Sequence, residues 1–559
     1  MSENTKKSII YGGLISSAGV LFSKILGLVY VIPFNMIAGD TNVAYYGYAY
    51  NIYAYVLNVS VAGIPYAIAT LVAKYYDVKD YRTTLLIKKL SLGLMIALGF
   101  ISMCFVILTS GPLAGMILAE GSSPEEITIT QNVMVIISFA LFFVPVLSAY
   151  RGFYQGLKEM KLYAYSQVLE QLVRVFFLLG AGAIAVYLFH MDQIWAVYFA
   201  VFSTSVAAIC ALLHIKSVDR KAMKEMKQLV ATQERISNND KLVLLKEMIV
   251  IAIPYLLSAV IAYSQDMVNL LFFTKALEST GVNGTLSNYI YGTVLGMHTK
   301  KIIAIPQILC VGFSASIIPY ITTSLERRDF KMVNRHIKDT LESVLYILLP
   351  MSFCLFFFSK EVMFLLFGNP TIELMDTVNQ AVIVFQQLDY EDYLMKFRVI
   401  DSIMGTIAPL FTSLLIACRL GKKPLFALLA GAIMKFVSLY PCVWLFGMNG
   451  ATFSNLCSYL TIMLIDIYYL NTIFHIRWKS TLKKLFVMCL GVLGMTLIYW
   501  VLYALLGDLT RFGRIEMLPI VILEGIVVLL AYLMITGVFQ LPQLIFKIDM
   551  NTIKRRFKR

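Results

Sequence analysis

The sequence predicts an all-α polytopic membrane protein, and three observations predict it. Apolar residues make up 59% of the 559 positions and charged residues only 14%, against about 45–50% and about 25% in soluble domains, and mean hydropathy is +0.76. Apolar windows of about 20 residues, the length that crosses a hydrocarbon core, recur along the whole chain. Basic residues gather between those windows rather than inside them. Because lipid offers backbone groups no hydrogen-bond partner, each span has to be a helix. No stretch remains for a separate soluble domain.

The first window, 9–38, is too long for a removable signal peptide and no small-residue cleavage site follows it, so it is expected to stay as the first span. The next are expected near 43–72, 90–110, 129–150, 163–189, 193–213, 247–274, 294–320, 340–359, 396–418, 424–446, 449–471, 485–506 and 517–538, giving fourteen transmembrane helices. Span ten is the least regular, because the polar stretch 371–398 before it is long. Orientation follows from charge. Thirty-six of the 47 Lys and Arg fall in alternate segments, 1–8, 73–89, 151–161, 214–246, 321–339, 419–423, 472–484 and 539–559. The intervening loops are acidic, with Glu120, Glu125 and Glu126 in one and Glu373, Asp376, Asp389, Glu391 and Asp392 in another. Both termini are therefore expected on the cytoplasmic side, where the tail Lys554-Arg-Arg-Phe-Lys-Arg559 can also rest on anionic headgroups.

A net charge of +14 could also suit nucleic acid, but no basic run is interleaved with stacking aromatics. The eight cysteines (Cys104, Cys210, Cys310, Cys354, Cys418, Cys442, Cys457, Cys489) lie in apolar stretches without CxxC spacing and read as small core residues. A weak internal repeat relates Ile64-Pro65-Tyr66 to Ile318-Pro319-Tyr320 and Ser102-x-Cys104 to Ser352-x-Cys354, at offsets of 254 and 250 residues. It suggests two six-helix lobes, 1–213 and 247–471, joined by a basic cytoplasmic linker 214–246 and followed by two additional helices in 472–559. Lobes of six spans keep one orientation, so a pseudo-two-fold along the membrane normal and a cavity between the lobes are expected.

Ionisable groups inside spans are costly and normally face a wet cavity or a partner. They are Lys24, Arg174 with Glu170 one turn before it, Asp266, Lys300 and Lys301, Lys435 and Asp466. Each has a structural alternative. Glu170 and Arg174, at i,i+4, read equally as an intrahelical ion pair, Lys300 and Lys301 as residues snorkelling to the outer interface, and Asp466 as solvated at a cytoplasmic end. Lys24, about fifteen residues from either end of its span, is hardest to dismiss. Cations outnumber acids, so the expected substrate is an anion carrying phosphate, which lysine meets as a point charge and arginine as a fork. Asp266 with Asn269 is a candidate site for a coupling cation, Na+ or H+. No GxxxxGK[ST] loop is present, so the membrane potential or an ion is expected to drive transport and no cofactor is expected.

At Arg151-Gly-Phe-Tyr-Gln-Gly156, followed by Gln167-Val-Leu-Glu170-Gln-Leu-Val-Arg174, the chain resembles the polysaccharide-transport branch of the multidrug/oligosaccharidyl-lipid/polysaccharide exporter superfamily. It resembles in particular the MurJ-type lipid II flippases of the YtgP/SpoVB group. That resemblance implies a laterally gated cavity, basic residues reading a pyrophosphate, a groove at the last two helices for a polyprenyl tail, a bacterial plasma membrane location, and cell-wall synthesis or division proteins as partners. Lys24, in Ser23-Lys24-Ile-Leu-Gly27, matches a first-helix arginine of the family's cavity, and Lys301, five residues before Pro306, matches a basic residue of the eighth helix. Both are lysine here, which keeps the charge and loses the fork. Where family members place a second basic residue and an acid, this chain has Val29-Tyr30, and no basic residue precedes Lys74 in the second helix; Arg174 and Lys435, in the fifth and eleventh spans, are expected to supply the missing charge across the cavity.

The resulting expectation is a flippase that carries lipid II from the inner to the outer leaflet by alternating access, enclosing only the polar head. A flippase for another polyprenyl-linked glycan shares this logic. A cation-coupled drug exporter would instead centre its cavity on carboxylates. A membrane glycosyltransferase would need clustered Asp or His, whereas His190, His214, His298, His336 and His475 are scattered and the acidic stretch 373–392 reads as a solvated loop. No enzyme is expected.

Overall fold

The computed structural model describes residues 26–27, 30–39, 41–119, 122–157, 159–233, 240–307, 321, 324–325, 327–375, 382–418, 420 and 422–546. Helices follow one another as α1 (Val31–Ala38), α2 (Val43–Val61), α3 (Ile64–Asp77), α4 (Tyr81–Ile117), α5 (Pro124–Ser138), α6 (Ala140–Gly156), α7 (Met160–Ala183), α8 (Ile194–Thr232) and α9 (Lys241–Glu278). Next, α10 (Gly284–Tyr289) runs through a π-helical stretch, Ile290–His298, into helical residues 299–307. The rest comprises α11 (Phe330–Phe357), α12 (Ser359–Phe367), strands β1 (Thr371–Met375) and β2 (Val382–Gln386), α13 (Gln387–Ala417), α14 (Lys422–Phe446), α15 (Gly450–Phe474), α16 (Lys479–Leu506), α17 (Arg514–Val538) and α18 (Leu541–Phe546).

Among the described residues, ten helical stretches are long and apolar enough to cross a membrane. One of them, Lys422–Phe474, holds two successive helices parted by a 3₁₀ turn at Gly447–Asn449, so the architecture is compatible with fourteen spans. Large apolar side chains stay exposed on these helices, including Leu108 (79%), Trp444 (77%), Leu505 (75%) and Ile522 (53%). A soluble protein would hide such a surface, and a bilayer covers it.

Side-chain caps start several helices. Asp80 accepts from the Thr83 amide, Asp240 from Leu242, Asn283 from Thr285 and Leu286, and Asp329 from Met332, while Ser123 and Glu126 form a capping box before α5. The second span breaks at Gly63, whose φ of 74° is left-handed, with Pro65 opening α3.

The chain divides into two compact units, Met1–Met297 with Met375–Ala381 and His298–Leu374 with Val382–Arg559. In the first, α9 packs on α2, α3 and α4, and the core gathers Ile68, Leu71, Ile87, Met95, Leu147, Phe153 and Ile215. In the second, α14 pairs with α15, α13 with α15 and α16 with α17, around Ile337, Val344, Leu348, Leu415, Leu470, Met488 and Tyr532. These units part inside the eighth span, not in the basic segment 214–246.

That segment is no simple linker. Helix α8 continues to Thr232 because Ile215, Asp219 and Met226 are buried on one face, with Ala222 and Met223 packed beside them, and helical periodicity outweighs the charges on the other face. The eighth span begins at Gly284, ten residues earlier than expected, since its polar first turns (Ser287, Asn288) are buried among neighbours instead of lying in water. The stretch before span ten contains a two-stranded hairpin, β1–β2, that residue periodicity had not indicated.

Candidate functional site

In the first unit, one carboxylate holds two guanidiniums. Arg151 Nη2 donates to Glu170 Oε2 at 2.8 Å, and Arg174 Nη2 donates to Glu170 Oε1 at 2.9 Å. Arg151 Nε also donates to Ser166 Oγ at 2.8 Å. All three ionic side chains are at least four-fifths buried, and two guanidiniums on one carboxylate give the group a net positive charge. Among the described residues no acceptor meets the buried Arg174 Nε, and the phenols of Tyr46, Tyr50 and Tyr53 on α2 lie within its electrostatic reach. Thus the expected Glu170–Arg174 pair is present, yet it is half of a larger arrangement. Arg151, assigned by sequence to a cytoplasmic loop, instead ends up buried in α6. The glycines around it explain why: a Cβ at Gly152 would lie 2.7 Å from the Pro65 carbonyl, and one at Gly156 2.7 Å from that of Ala69, so the motif lets α6 close on α3 and turns Arg151 toward α7.

Lys24 lies outside the described residues. The end of its motif does not: a Cβ on Gly27 would meet Gln171 Nε2 at 3.2 Å, next to Glu170 in sequence. Beside this region, a cavity of about 430 Å³ opens at the break of the second span, lined by Asn58, Gly63, Ser148 and Tyr263 among others. Asp266 is exposed and Asn269 buried on α9.

In the second unit, Lys300 and Lys301 are half-buried on helical residues 299–307. Lys301 stands seventeen residues after Gly284, roughly 25 Å along the helix. The π-helical stretch just before them widens the helix and leaves neighbouring residues out of the usual register, a deviation found mostly at functional positions. It ends on His298, which is wholly buried, with Nδ1 2.5 Å from Glu391 Oε1 and the ring stacked on Phe367 at 3.7 Å. Gln387 Nε2 donates to the same carboxylate oxygen at 2.9 Å. Glu391 is therefore not part of a solvated loop: α13 starts at Gln387 and carries it inward, where only a buried partner makes a carboxylate tolerable.

Lys435 is fully buried and donates to the Ala451 carbonyl at 3.1 Å and to Ser454 Oγ, tying α14 to α15. Its burial and local donations account for it without a substrate. Asp466 is buried and accepts from Thr412 Oγ1 at 2.6 Å, so it is not solvated. Sequence reading passed over Arg398, which donates to Asp401 at 2.8 Å while Asn455 donates to the same oxygen at 3.1 Å. The i,i+3 spacing of Arg398 and Asp401 was the available signal. Among the described residues, no group of three or more His, Cys, Asp or Glu is placed to hold a metal ion.

The model of the polysaccharide biosynthesis protein family matches residues 9–323. A lipid II flippase MurJ of Bacillus subtilis (strain 168) is 28% identical over 422 residues, 72% of this chain and 76% of that one. Stage V sporulation protein B of the same organism is 22% identical over 364 residues, 65% of this chain and 68% of the other. Among solved structures, a lipid II flippase MurJ in an inward closed conformation superposes with a TM-score of 0.64 at 15% identity, covering 94% of this chain and 98% of that one. An inward-facing multidrug resistance MATE family transporter of the MOP superfamily gives 0.60 at 12% identity, over 80% and 95%. These superpositions establish the fold.

Proposed function

Since the chain belongs to the polysaccharide biosynthesis protein family, we propose that it is a flippase for a polyprenyl-diphosphate-linked glycan precursor, and specifically for lipid II, moved from the inner to the outer leaflet by alternating access. The observation that carries this reading is a surplus of positive charge within the first unit: two arginines, Arg151 and Arg174, share one carboxylate, Glu170. In a low-dielectric setting such a surplus is unfavourable until an anion arrives, and a diphosphate supplies about two negative charges with fork-matching oxygens. Similarity to a lipid II flippase over 72% of the chain supports lipid II over other glycans.

In this mechanism the polyprenyl tail stays in the bilayer while the head is enclosed. Lys301, Lys300, Arg174 and Lys24, three positions before Gly27, hold the diphosphate. Lys435 is omitted because the neighbouring helix uses it. Release outward is favoured by an inside-negative potential, worth roughly 4–5 kcal/mol for two charges crossing about 100 mV; Asp266 and Asn269 remain the proposed site for a coupling cation. The test is depletion of the protein followed by probing lipid II at the outer surface with an impermeant reagent. Accessibility should fall severalfold and return with the wild-type chain. Undiminished access would falsify the assignment to lipid II.

A further inference from the structure

We propose that the first unit carries a separate binding site for the phosphate headgroup of an anionic phospholipid, built where α4, α8 and α9 begin or end at the membrane surface. A cavity of about 600 Å³ lies there, and its lining includes Arg82, Lys88, Lys89, Lys227 and Lys241, against one acid, Asp219. That acid is already used. Lys88 is buried and bonded to Asp219, its ammonium also lies 4.9 Å from the Phe153 ring, and Tyr154 Oη donates to Asp219 Oδ1 at 2.7 Å. The buried Lys88–Asp219–Tyr154 group is neutral and fixes the floor of the cavity.

Arg82, Lys89, Lys227 and Lys241 are exposed, and none of them forms an ion pair with a described residue. Four cations thus converge on one concavity, and among the described residues no acid is paired with any of them. Repulsion at such a site is relieved by a bound phosphate, which accepts hydrogen bonds from Arg and Lys together.

The cavity's other walls select a lipid over a soluble anion. Leu85, Leu86, Leu92, Met223 and Val230 line it, and Leu92 lies a turn further along α4, toward the apolar part of that span. Beside Lys241, Leu242 and Val243 are 73% and 60% exposed, which suits contact with acyl chains and not with water. A cationic rim beside apolar walls at the end of membrane-spanning helices matches a headgroup with its first methylenes. None of these residues belongs to the proposed substrate site, so this inference stands independently of the flippase assignment.

The experiment uses the full chain in detergent, with native mass spectrometry counting retained lipid after exposure to equal amounts of phosphatidylglycerol and phosphatidylcholine. Wild type should retain phosphatidylglycerol preferentially, and each neutralisation among Arg82→Gln, Lys89→Gln, Lys227→Gln and Lys241→Gln should weaken retention about fivefold at low salt. A variant with Lys216, Arg220, Lys221 and Lys224 all changed to Gln removes four charges from exposed positions of α8 outside the cavity, and it should bind like wild type. Equal loss in that control would reduce the site to general surface charge and overturn the proposal. So would full retention in a variant that combines Arg82→Gln, Lys89→Gln, Lys227→Gln and Lys241→Gln, or absence of any preference in wild type. Inorganic phosphate forms the last arm: if it displaces phosphatidylglycerol at equimolar concentration, the site takes a soluble anion and the acyl-chain part of the inference is wrong.

Discussion

At the scale of single residues, the decisive question for each buried charge is what neutralises it. Glu170 serves two arginines, so Glu170→Gln leaves like charges facing each other out of water. A loss of about 3 kcal/mol is expected, read as a lower thermal midpoint in detergent, and Glu170→Gln with Arg174→Met should recover part of it. Lys435 differs, because its ammonium donates to the Ala451 carbonyl and to Ser454 on the next helix. Lys435→Met should fold with a midpoint close to wild type and keep outer-leaflet lipid II accessible, whereas Lys301→Ala should abolish access and Lys301→Arg should retain part of it. Glu361, on α12 outside the spans, is 5% exposed; burial, together with Asp508, Glu524 and Asp392 nearby, pushes its carboxyl up to about 7 from 4.5. Its folded state binds the proton more tightly than the unfolded chain, so its contribution to stability falls as pH rises from 4.5 to 7 and stays low above that. Glu361→Gln should flatten that dependence and raise the midpoint at pH 8 by an amount on the order of 2 kcal/mol; an unchanged pH profile would show that Glu361 is not the titrating group.

At the scale of elements, close backbone approach shapes the first unit. A Cβ at Gly47 on α2 would lie 2.4 Å from the Gly292 carbonyl oxygen, and one at Gly292 would lie 2.6 Å from the Ala44 Cβ. The π-helical stretch fits against α2 only because both positions lack side chains. Gly47→Ala and Gly292→Ala should each cost about 1–3 kcal/mol, measured by denaturation, while Gly93→Ala, with nothing within 4 Å, should be neutral or slightly stabilising. The internal repeat legible in the sequence also has a local counterpart. Lys79-Asp80-Tyr81 and Arg328-Asp329-Phe330 form the same turn, a basic residue at positive φ (61° and 56°) followed by an aspartate that caps the next helix at 3.0 Å. Their spacing agrees with the offset of the apolar motifs. Short polar turns of this sort are visible in sequence because their geometry depends on three or four consecutive residues.

For the whole molecule, the expected orientation rests on the alternation of basic loops. In a cysteine-free background, Ser279→Cys, between α9 and α10, should react with an impermeant maleimide in intact cells, and Lys224→Cys on the basic end of α8 only after permeabilisation. The reverse pattern would invert the topology. Exposed apolar side chains along the spans mean that the unit faces lipid wherever it does not face itself, so stability in detergent should depend strongly on micelle chain length.

Composition and apolar periodicity alone determined that the chain is a helical, many-spanning membrane protein, because the bilayer imposes one length and one secondary structure on any segment that crosses it. They also marked Arg174, Lys300 and Lys301 as unusual. Only the tertiary structure decided what surrounds each charge: that Arg151 shares Glu170, that Lys435 donates to one neighbouring helix and Asp466 accepts from another, that His298 meets Glu391, and that a cationic cavity forms on the side of α4 and α8. Those pairings join residues 16 to 131 positions apart, and the electrostatic cost of a buried group is set by atoms within a few ångströms, whose identity no local stretch of sequence contains.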